Sequence, residues 1–377
     1  MRFQLERKLL VRLYDLKKYV SLVIKARRIL KNISKKCLLN DNYVRVKKDF
    51  NRKWAGLRGC FDFYWLKIYG IVSGDWSPEY VPETIYYLHI EPRLNNKMFS
   101  KAYSDKNMYH YYVKDIMMPI ILVRNIEGVF YEKYSNRPSE KGRVINVLES
   151  YNRFIIKPSI ESGGGRNVAL CVKYSDGYQM SGRHIKSVEE ILNLYRKNYL
   201  IQEVIESHPF YAAFNPSSVN TVRFLIYRSV VDETVKILHS VFRVGITGSI
   251  TDNQASGGYA CGLTKEGCLT GRAVNKKGDI YDNVNGVRLE KGLKLLKYDE
   301  MIYEAKKIAY FFPYSRLMGI DLCVDKEGRI VLIEINNQNN EINFFQMLNG
   351  PLFGDYTDEV IKFCRSEKKS FVIDFTI

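Results

Sequence analysis

The sequence predicts an α+β protein of two or three lobes. Residues 150–205 read as strand, Gly-rich loop, strand, helix, strand. Residues 219–228, 235–245, 318–324 and 330–336 are β-branched and alternating, and only the turn Asp325-Lys326-Glu327-Gly328 separates the last two. Helices are expected in separate stretches, at 3–30 with helical apolar spacing, from 187 to about 195, at 300–311 and near 357–365. A chain of 377 residues has the length of two or three domains at roughly 100–200 residues each. Its apolar share of 46% and charged share of 26% exclude a disordered or collagen-like chain.

The first element is set apart by charge. Residues 1–60 hold 18 Lys and Arg against four acids, so they carry nearly all of the net charge of +17. Residues 3–30 repeat apolar positions at Leu5, Leu9, Leu13, Leu16, Val20 and Val23, with Leu30 further on. A basic amphipathic helix of this kind suits an anionic membrane surface through residues 1–36. It equally suits a helix packed on its own protein with a solvated basic face. No helix-turn-helix, zinc-finger or RNP-like pattern accompanies the charge, so no nucleic-acid partner is expected.

Residues 61–149 are expected to form an N-terminal α/β lobe. The stretch from Trp76 to Pro82, followed by Ile90-Glu91-Pro92, reads as an irregular ordered loop. Residues 105–123 read as a helix running into a strand near Met118–Val123. The seven cysteines are odd in number and widely spaced, with no CxxC, which argues against a disulfide framework or a structural zinc site. No run of 18 uncharged apolar residues and no clean leader pattern occurs. A cytoplasmic location is expected, with peripheral association at the inner membrane face as the further option.

The small lobe is expected over 150–206 and the large one over 207–377. Lys157 ends the strand at 154–158, and the loop Ser162-Gly163-Gly164-Gly165-Arg166 follows. Backbone N–H groups in such a loop can approach phosphate oxygens, although a loose surface hairpin gives the same pattern. Ser187-Val188-Glu189-Glu190 opens a helix with a capping-box pattern. The strand at 200–205 contains Gln202, Glu203 and Val204.

The chemistry concentrates near the C-terminus. Asp321 lies on one strand, and Glu334 and Asn336 lie two apart on the next, so the latter two share a face. Two carboxylates and an amide oxygen are hard donors suited to Mg²⁺ that also touches phosphates. Carboxylates in strands this apolar need either a metal or Arg and Lys partners.

Taken together, the Lys and Gly-rich loop, the apolar-Gln-Glu-apolar strand and the Asp…Glu-x-Asn hairpin resemble the ATP-grasp fold, in which two α/β lobes grip ATP. The segments 214–223 and 333–345, with the block Asn336-Asn337-Gln338-Asn339-Asn340, are similar to the sugar-transfer-associated ATP-grasp proteins of bacterial capsule and surface-polysaccharide biosynthesis. The resemblance is strong over 150–350, weaker back to about residue 75, and does not cover the basic helix.

The resemblance implies ATP and Mg²⁺ as cofactors. It implies that Lys157 and Ser162, Gly163, Gly164, Gly165 and Arg166 hold the phosphates, that Lys106 is a second nucleotide lysine, and that adenine lies on Gln202, Glu203 and Val204. Asp321, Glu334 and Asn336 would hold the metal. Arg223 and Arg243 would contact phosphate or the reacting carboxylate, and Asn253, Gly257 and Gly258 would line the acceptor side. Glu206 is the candidate for the ribose. The implied activity is a carboxylate–amine ligase with an acyl-phosphate intermediate, joining a uronic acid of a surface polysaccharide or its precursor to an amino acid or amine. Two other classes stay open: a kinase acting on a sugar hydroxyl, and a non-catalytic glycan-binding module using the 28 tyrosines as stacking platforms.

Overall fold

A computed structural model describes residues 2–33, 41–57, 59–160 and 165–367. Two seven-stranded antiparallel sheets form its frame. The first sheet contains β1 (Ile121–Ile126), β2 (Val129–Glu132), β3 (Arg153–Pro158), β4 (Ala169–Tyr174), β5 (Gly177–Met180), β6 (Arg183–Ile185) and β7 (Tyr199–Gln202), in the order β2-β1-β7-β3-β4-β5-β6. The helices Lys141–Glu149 and Val188–Tyr195 cover it, and Val144, Leu148, Ile191 and Leu192 close its core with Phe154, Ile156 and Ile201. Because β1 pairs with β7, this sheet crosses the boundary expected between residues 149 and 150. The Ser187 side chain accepts the amide hydrogen bond of Glu190 at 3.2 Å, but the Glu190 carboxylate accepts from the amide of Lys186, so the cap reaches one residue further back than a capping box.

The second sheet contains β8 (Thr221–Arg228), β9 (Val235–Val244), β10 (Tyr259–Leu263), β11 (Leu269–Val274), β12 (Ile280–Tyr281), β15 (Leu317–Val324) and β16 (Ile330–Asn336). A two-strand hairpin, β13 (Asn283–Val284) with β14 (Val287–Arg288), lies outside it. The sheet order is β12-β11-β10-β9-β8-β15-β16. Strand alternation divides its residues between two cores. Val222, Phe224, Ile226 and Phe242 pack on one side with Met301, Ala305 and Ile308 of the helix Tyr298–Tyr310. Leu225, Tyr227 and Val241 pack on the other side with the N-terminal helices. Arg223, Arg243 and Asp321 have the parity of this second side, so the N-terminal region and the polar cluster share one sheet face.

The helices on that face are α1 (Arg2–Ile33), α2 (Asp41–Lys53) and α3 (Phe63–Ser73). Sequence spacing treats α1 as one amphipathic unit, whereas the structure divides it. Leu22, Val23, Ala26, Ile29 and Ile33 are buried in the core with Trp65, Ile68 and Val72. Leu9, Leu13, Leu16 and Val20, expected on the same apolar face, are between 47% and 58% exposed. The side chain of Leu5 lies outside the described residues.

The loop expected over 76–92 is partly helical: Glu83–Ile85 leads into a π-turn at Tyr86–Ile90 and then Glu91–Leu94. Pro82 precedes the first turn, where no N–H is needed, and a π-turn accommodates the missing donor of Pro92. Asn95 then ties this region to the second sheet. Its Nδ2 donates to the carbonyls of Leu317 and Asn337, both at 2.7 Å.

Candidate active site

Four neighbouring strands of the second sheet build the polar cluster. Register places Glu334 opposite Asp321, Asp321 opposite Arg223, and Arg243 opposite Thr221. Directly opposed residues project to the same side of a sheet, so these groups converge. Arg223 grips Asp321 with two parallel bonds, Nε to Oδ1 and Nη2 to Oδ2, both 2.6 Å. Arg243 Nη1 adds a third at 3.0 Å to Oδ2. Arg243 also donates to Asn253 Oδ1 at 2.6 Å and lies 3.3 Å from Asp252, whose other oxygen accepts from the amide and hydroxyl of Thr221. Burial raises the Asp252 carboxyl above its ordinary pKa, against the pull of Arg243.

Glu334 is paired differently. Lys106 Nζ lies 2.8 Å from Glu334 Oε1. Burial opposes both charges, but each stabilises the other, so Lys106 is pushed up to about 12 and Glu334 falls to about 2. Lys106 reaches this position from a short 3₁₀ turn, Lys106–Met108, capped by Asp105 and anchored by a backbone bond from Lys106 to Ser159 at 3.0 Å.

Lys157 has no such partner among the described residues. It is 9% exposed at the end of β3. Burial, with Lys106 adding to it and Glu334 opposing, lowers its pKa to about 8. A buried ammonium without a counterion is an open site for an anion. Nucleotide affinity is therefore expected to hold below pH 8 and to fall above it, by roughly tenfold per pH unit, because a bound phosphate favours the protonated form. Titration of a fluorescent ATP analogue from pH 6.5 to 9.5 measures this. Lys157→Met removes the break, and an unchanged profile in that variant refutes the assignment.

Two cavities meet at this cluster. One, of about 530 Å³, runs between the sheets and is lined by Ile155, Val168, Leu170 and Ile333 as well as Lys157 and Asp321. That volume falls within the usual range for a small-ligand site, and the mix of apolar walls and a cationic end suits a nucleotide. The other, of about 1200 Å³, lies on the side of the N-terminal helices and includes Arg166, Arg223, Asn336 and Asn340. Lys106, Arg243, Asn253 and Glu334 line both.

The expected site residues divide accordingly. Lys106, Lys157, Gly165, Gln202, Val204, Asp321, Glu334, Arg243 and Asn253 line the inter-sheet cavity, as does Glu206. Glu206 pairs there with Arg153 and with Lys326. Gln202 and Val204 are two apart and turn to the cavity; Glu203 lies between them and does not line it. Gly257 and Gly258 line neither cavity. Their amides bond the carbonyls of Gln254 and Asn253, forming the turn that holds Asn253 in place. Ser162, Gly163 and Gly164 lie outside the described residues. Gly165, at φ +69°, comes so near Asn253 that an added Cβ would lie 2.3 Å from its Nδ2, so the loop end touches the second sheet's site.

The three expected metal donors are not equally placed. Asp321 has both oxygens engaged by arginines, the other of the two ways in which its burial can be satisfied. Glu334 carries one lysine contact, and Asn336 faces the larger cavity with a buried Nδ2 that lacks a hydrogen bond. Each carboxylate oxygen accepts more than one bond, and rotation of the Asn336 amide exchanges its N and O positions. The donor set therefore fits a hard divalent cation at Glu334 and Asn336, with Asp321 adjacent. Sequence reasoning missed Asp252, Lys18, Lys101 and Lys276, all of which line one of the two cavities. Only Asp252, beside Asn253, carried a local signal.

No curated protein matches this chain. Among solved structures, the ATP-grasp ligase PsnB complexed with a minimal precursor, Mg and ADP is 12% identical, with 72% of this chain and 62% of that chain covered and a TM-score of 0.39. VanG D-Ala:D-Ser ligase from Enterococcus faecalis is 14% identical over 69% of this chain and 61% of its own, with a TM-score of 0.37. D-alanyl-alanine synthetase A from Vibrio cholerae is 13% identical over 77% and 66%, with a TM-score of 0.34. The chain spans less than two thirds of the length of these proteins, and at such scores the likenesses carry no argument about activity. The model of the sugar-transfer associated ATP-grasp family matches residues 88–360, most of the chain and both sheets. That match bears out the expected fold, and the chain belongs to the sugar-transfer associated ATP-grasp family.

Proposed function

We propose that the protein is an ATP-dependent carboxylate–amine ligase that works through an acyl phosphate. The observation that carries this reading is the junction of two cavities at Lys106, Arg243, Asn253 and Glu334. A nucleotide between the sheets directs its terminal phosphate to that junction, and a carboxylate in the larger cavity meets it there. The carboxylate oxygen attacks the γ-phosphorus, ADP leaves, and an amine then attacks the acyl carbon and expels phosphate, losing a proton.

Lys106 and Lys157 hold negative oxygens of the chain of phosphates. Arg223 and Arg243 are fixed before substrate arrives, so they stabilise developing charge with little reorganisation. Glu334 and Asn336, with Asp321 beside them, would hold Mg²⁺, which when bound offsets phosphate charge. No cysteine or histidine among the described residues lines either cavity, consistent with direct attack by the substrate carboxylate. Within this reading the acceptor is a uronic acid of a surface polysaccharide or its precursor, and its partner an amino acid or another amine.

Hydroxylamine trapping tests the reaction. With ATP, Mg²⁺ and a uronic acid, a ligase gives a hydroxamate together with ADP and phosphate. Formation of a sugar phosphate without hydroxamate assigns a kinase instead, and the absence of any nucleotide binding assigns a binding module.

The exposed half of α1 supports docking to an anionic membrane. Leu9, Leu10, Leu13, Leu16, Val20 and Ile24 are exposed among Arg12, Lys17, Arg27 and Arg28, and no described helix is long and apolar enough to cross a membrane. Deleting residues 1–36 would also remove core residues such as Ala26 and Ile33, so it is not a clean test. Replacing Leu9, Leu13 and Leu16 with Glu is expected to cut binding to phosphatidylglycerol vesicles at least tenfold while leaving thermal stability unchanged. Equal sedimentation with vesicles refutes the docking.

A further inference from the structure

Three cations of the larger cavity are not used by the reaction above. Lys18 comes from α1, Lys101 from the helix Lys97–Tyr103, and Lys276 from the turn between β11 and β12. Three separate parts of the chain thus contribute a lysine to the lining of one cavity. None has a carboxylate partner within ion-pair distance among the described residues; the neighbouring Lys25, by contrast, is paired with Glu83 at 2.6 Å and Glu341 at 3.7 Å. Lys18 is held over the Tyr87 ring, its ammonium 4.4 Å from the centroid.

Lys276 stands at a junction. It lines both the larger cavity and a groove of about 840 Å³, which is also lined by Lys17, Val20, Ile24 and Arg28 of α1. Val20 is 47% and Ile24 44% exposed. The turn that carries Lys276 is fixed against α1. Asn32 Nδ2 donates to the Lys277 carbonyl at 3.1 Å and to Asp279 Oδ1 at 3.0 Å. Gly278, at φ +80°, packs so tightly that an added Cβ would lie 3.1 Å from Ile33 Cγ2. Lys276 therefore borders both the cationic cavity and a trough in which Val20 and Ile24 are flanked by Lys17 and Arg28.

We propose that Lys18, Lys101 and Lys276 form a subsite for a phosphate or diphosphate ester carried by the acceptor, and that the apolar end of this ester lies along α1. The occupant is a lipid phosphate. Phosphate oxygens meet the ammonium charges of half-buried Lys18 and of Lys101 and Lys276 at the exposed rim, and a hydrocarbon chain removes Val20 and Ile24 from water. A sugar nucleotide would instead press polar groups against those side chains and lose their hydration. This inference rests on the proposed ligase reading only for the word acceptor, since binding to the subsite requires no turnover.

Calorimetric titration of the full chain distinguishes the occupants. The probes are dihexanoyl phosphatidic acid below its micellar concentration, inorganic pyrophosphate, and dihexanoyl phosphatidylcholine. Phosphatidic acid is expected to bind at least tenfold more tightly than either of the others. Lys18→Glu and Lys276→Glu should each weaken it at least tenfold, with the affinity for a fluorescent ATP analogue unchanged. Val20→Asp with Ile24→Asp should weaken phosphatidic acid but not pyrophosphate. Failure of phosphatidic acid to bind, indifference to the two lysine variants, or equal affinity for pyrophosphate overturns the proposal. Phosphatidic acid binding without hydroxamate formation removes the ligase reading and leaves this subsite standing; the converse removes the subsite alone.

Discussion

Asp321→Asn is expected to destabilise the protein by roughly 3–5 kcal/mol, the usual cost of removing one partner from a buried ion pair. The Asp321 side chain is 2% exposed, and the guanidiniums it neutralises, on Arg223 and Arg243, are 11% and 5% exposed. Asparagine keeps the shape but not the charge, leaving Arg223 and Arg243 without their shared carboxylate, with Asp252 beside Arg243 and Glu334 acting on Arg223 as the remaining acids. Urea unfolding at low ionic strength without Mg²⁺ measures the loss. The triple variant Arg223→Met, Arg243→Met, Asp321→Leu should recover much of it, because replacing a whole buried ionic cluster costs far less than breaking it. A change below about 1 kcal/mol for Asp321→Asn would show that the pair is solvated and that its role lies wholly with substrate.

The second large effect is expected at Lys106. Lys106→Met should lower kcat/KM by roughly 10²–10³, the range seen when a preorganised charge donor is removed. The reason is its position: Lys106 lines both cavities and lies 2.8 Å from Glu334, so it acts where phosphate meets carboxylate. The loss should fall mainly on kcat, measured as hydroxylamine-dependent phosphate release. The same variant removes repulsion from Lys157, so the break near pH 8 should move upward while the Glu334 carboxyl loses its main stabilising cation. A kcat/KM within threefold of the parent would remove Lys106 from the reaction.

These two residues show how differently the site can be read from sequence. Strand pattern and a short turn make β15 and β16 a hairpin, but Asp321 lies opposite Glu334 only because the register shifts between Asp321 and Leu322; the pairing of Leu322 with Leu332, continued without the shift, would set Asp321 opposite Ile333. Parity aligns Glu334 with Asn336. Lys106 has no such signal. It sits over 200 residues before Glu334, in a turn placed by backbone bonds to the end of β3, and only the family resemblance pointed to it. The arginine partners of Asp321 depended on β8 and β9 lying beside β15, a sheet order that local pattern does not encode.

The sequence by itself determined the strands β3, β4, β7, β8, β9, β15 and β16, the helices at 2–33, 188–195, 298–310 and 357–366, the concentration of basic charge in the first 60 residues and the hairpin that carries the carboxylates. These follow from periodicity, turn chemistry and composition, which act over a few residues. Only the tertiary structure decided that β1 and β2 join the first sheet, that α1 is packed at one end and exposed at the other, and that Lys18 and Lys276 share a cavity with Glu334. The reason is that sheet order and helix docking are set by which apolar faces can cover one another across the whole chain. A single helix carries no record of which neighbour will cover it.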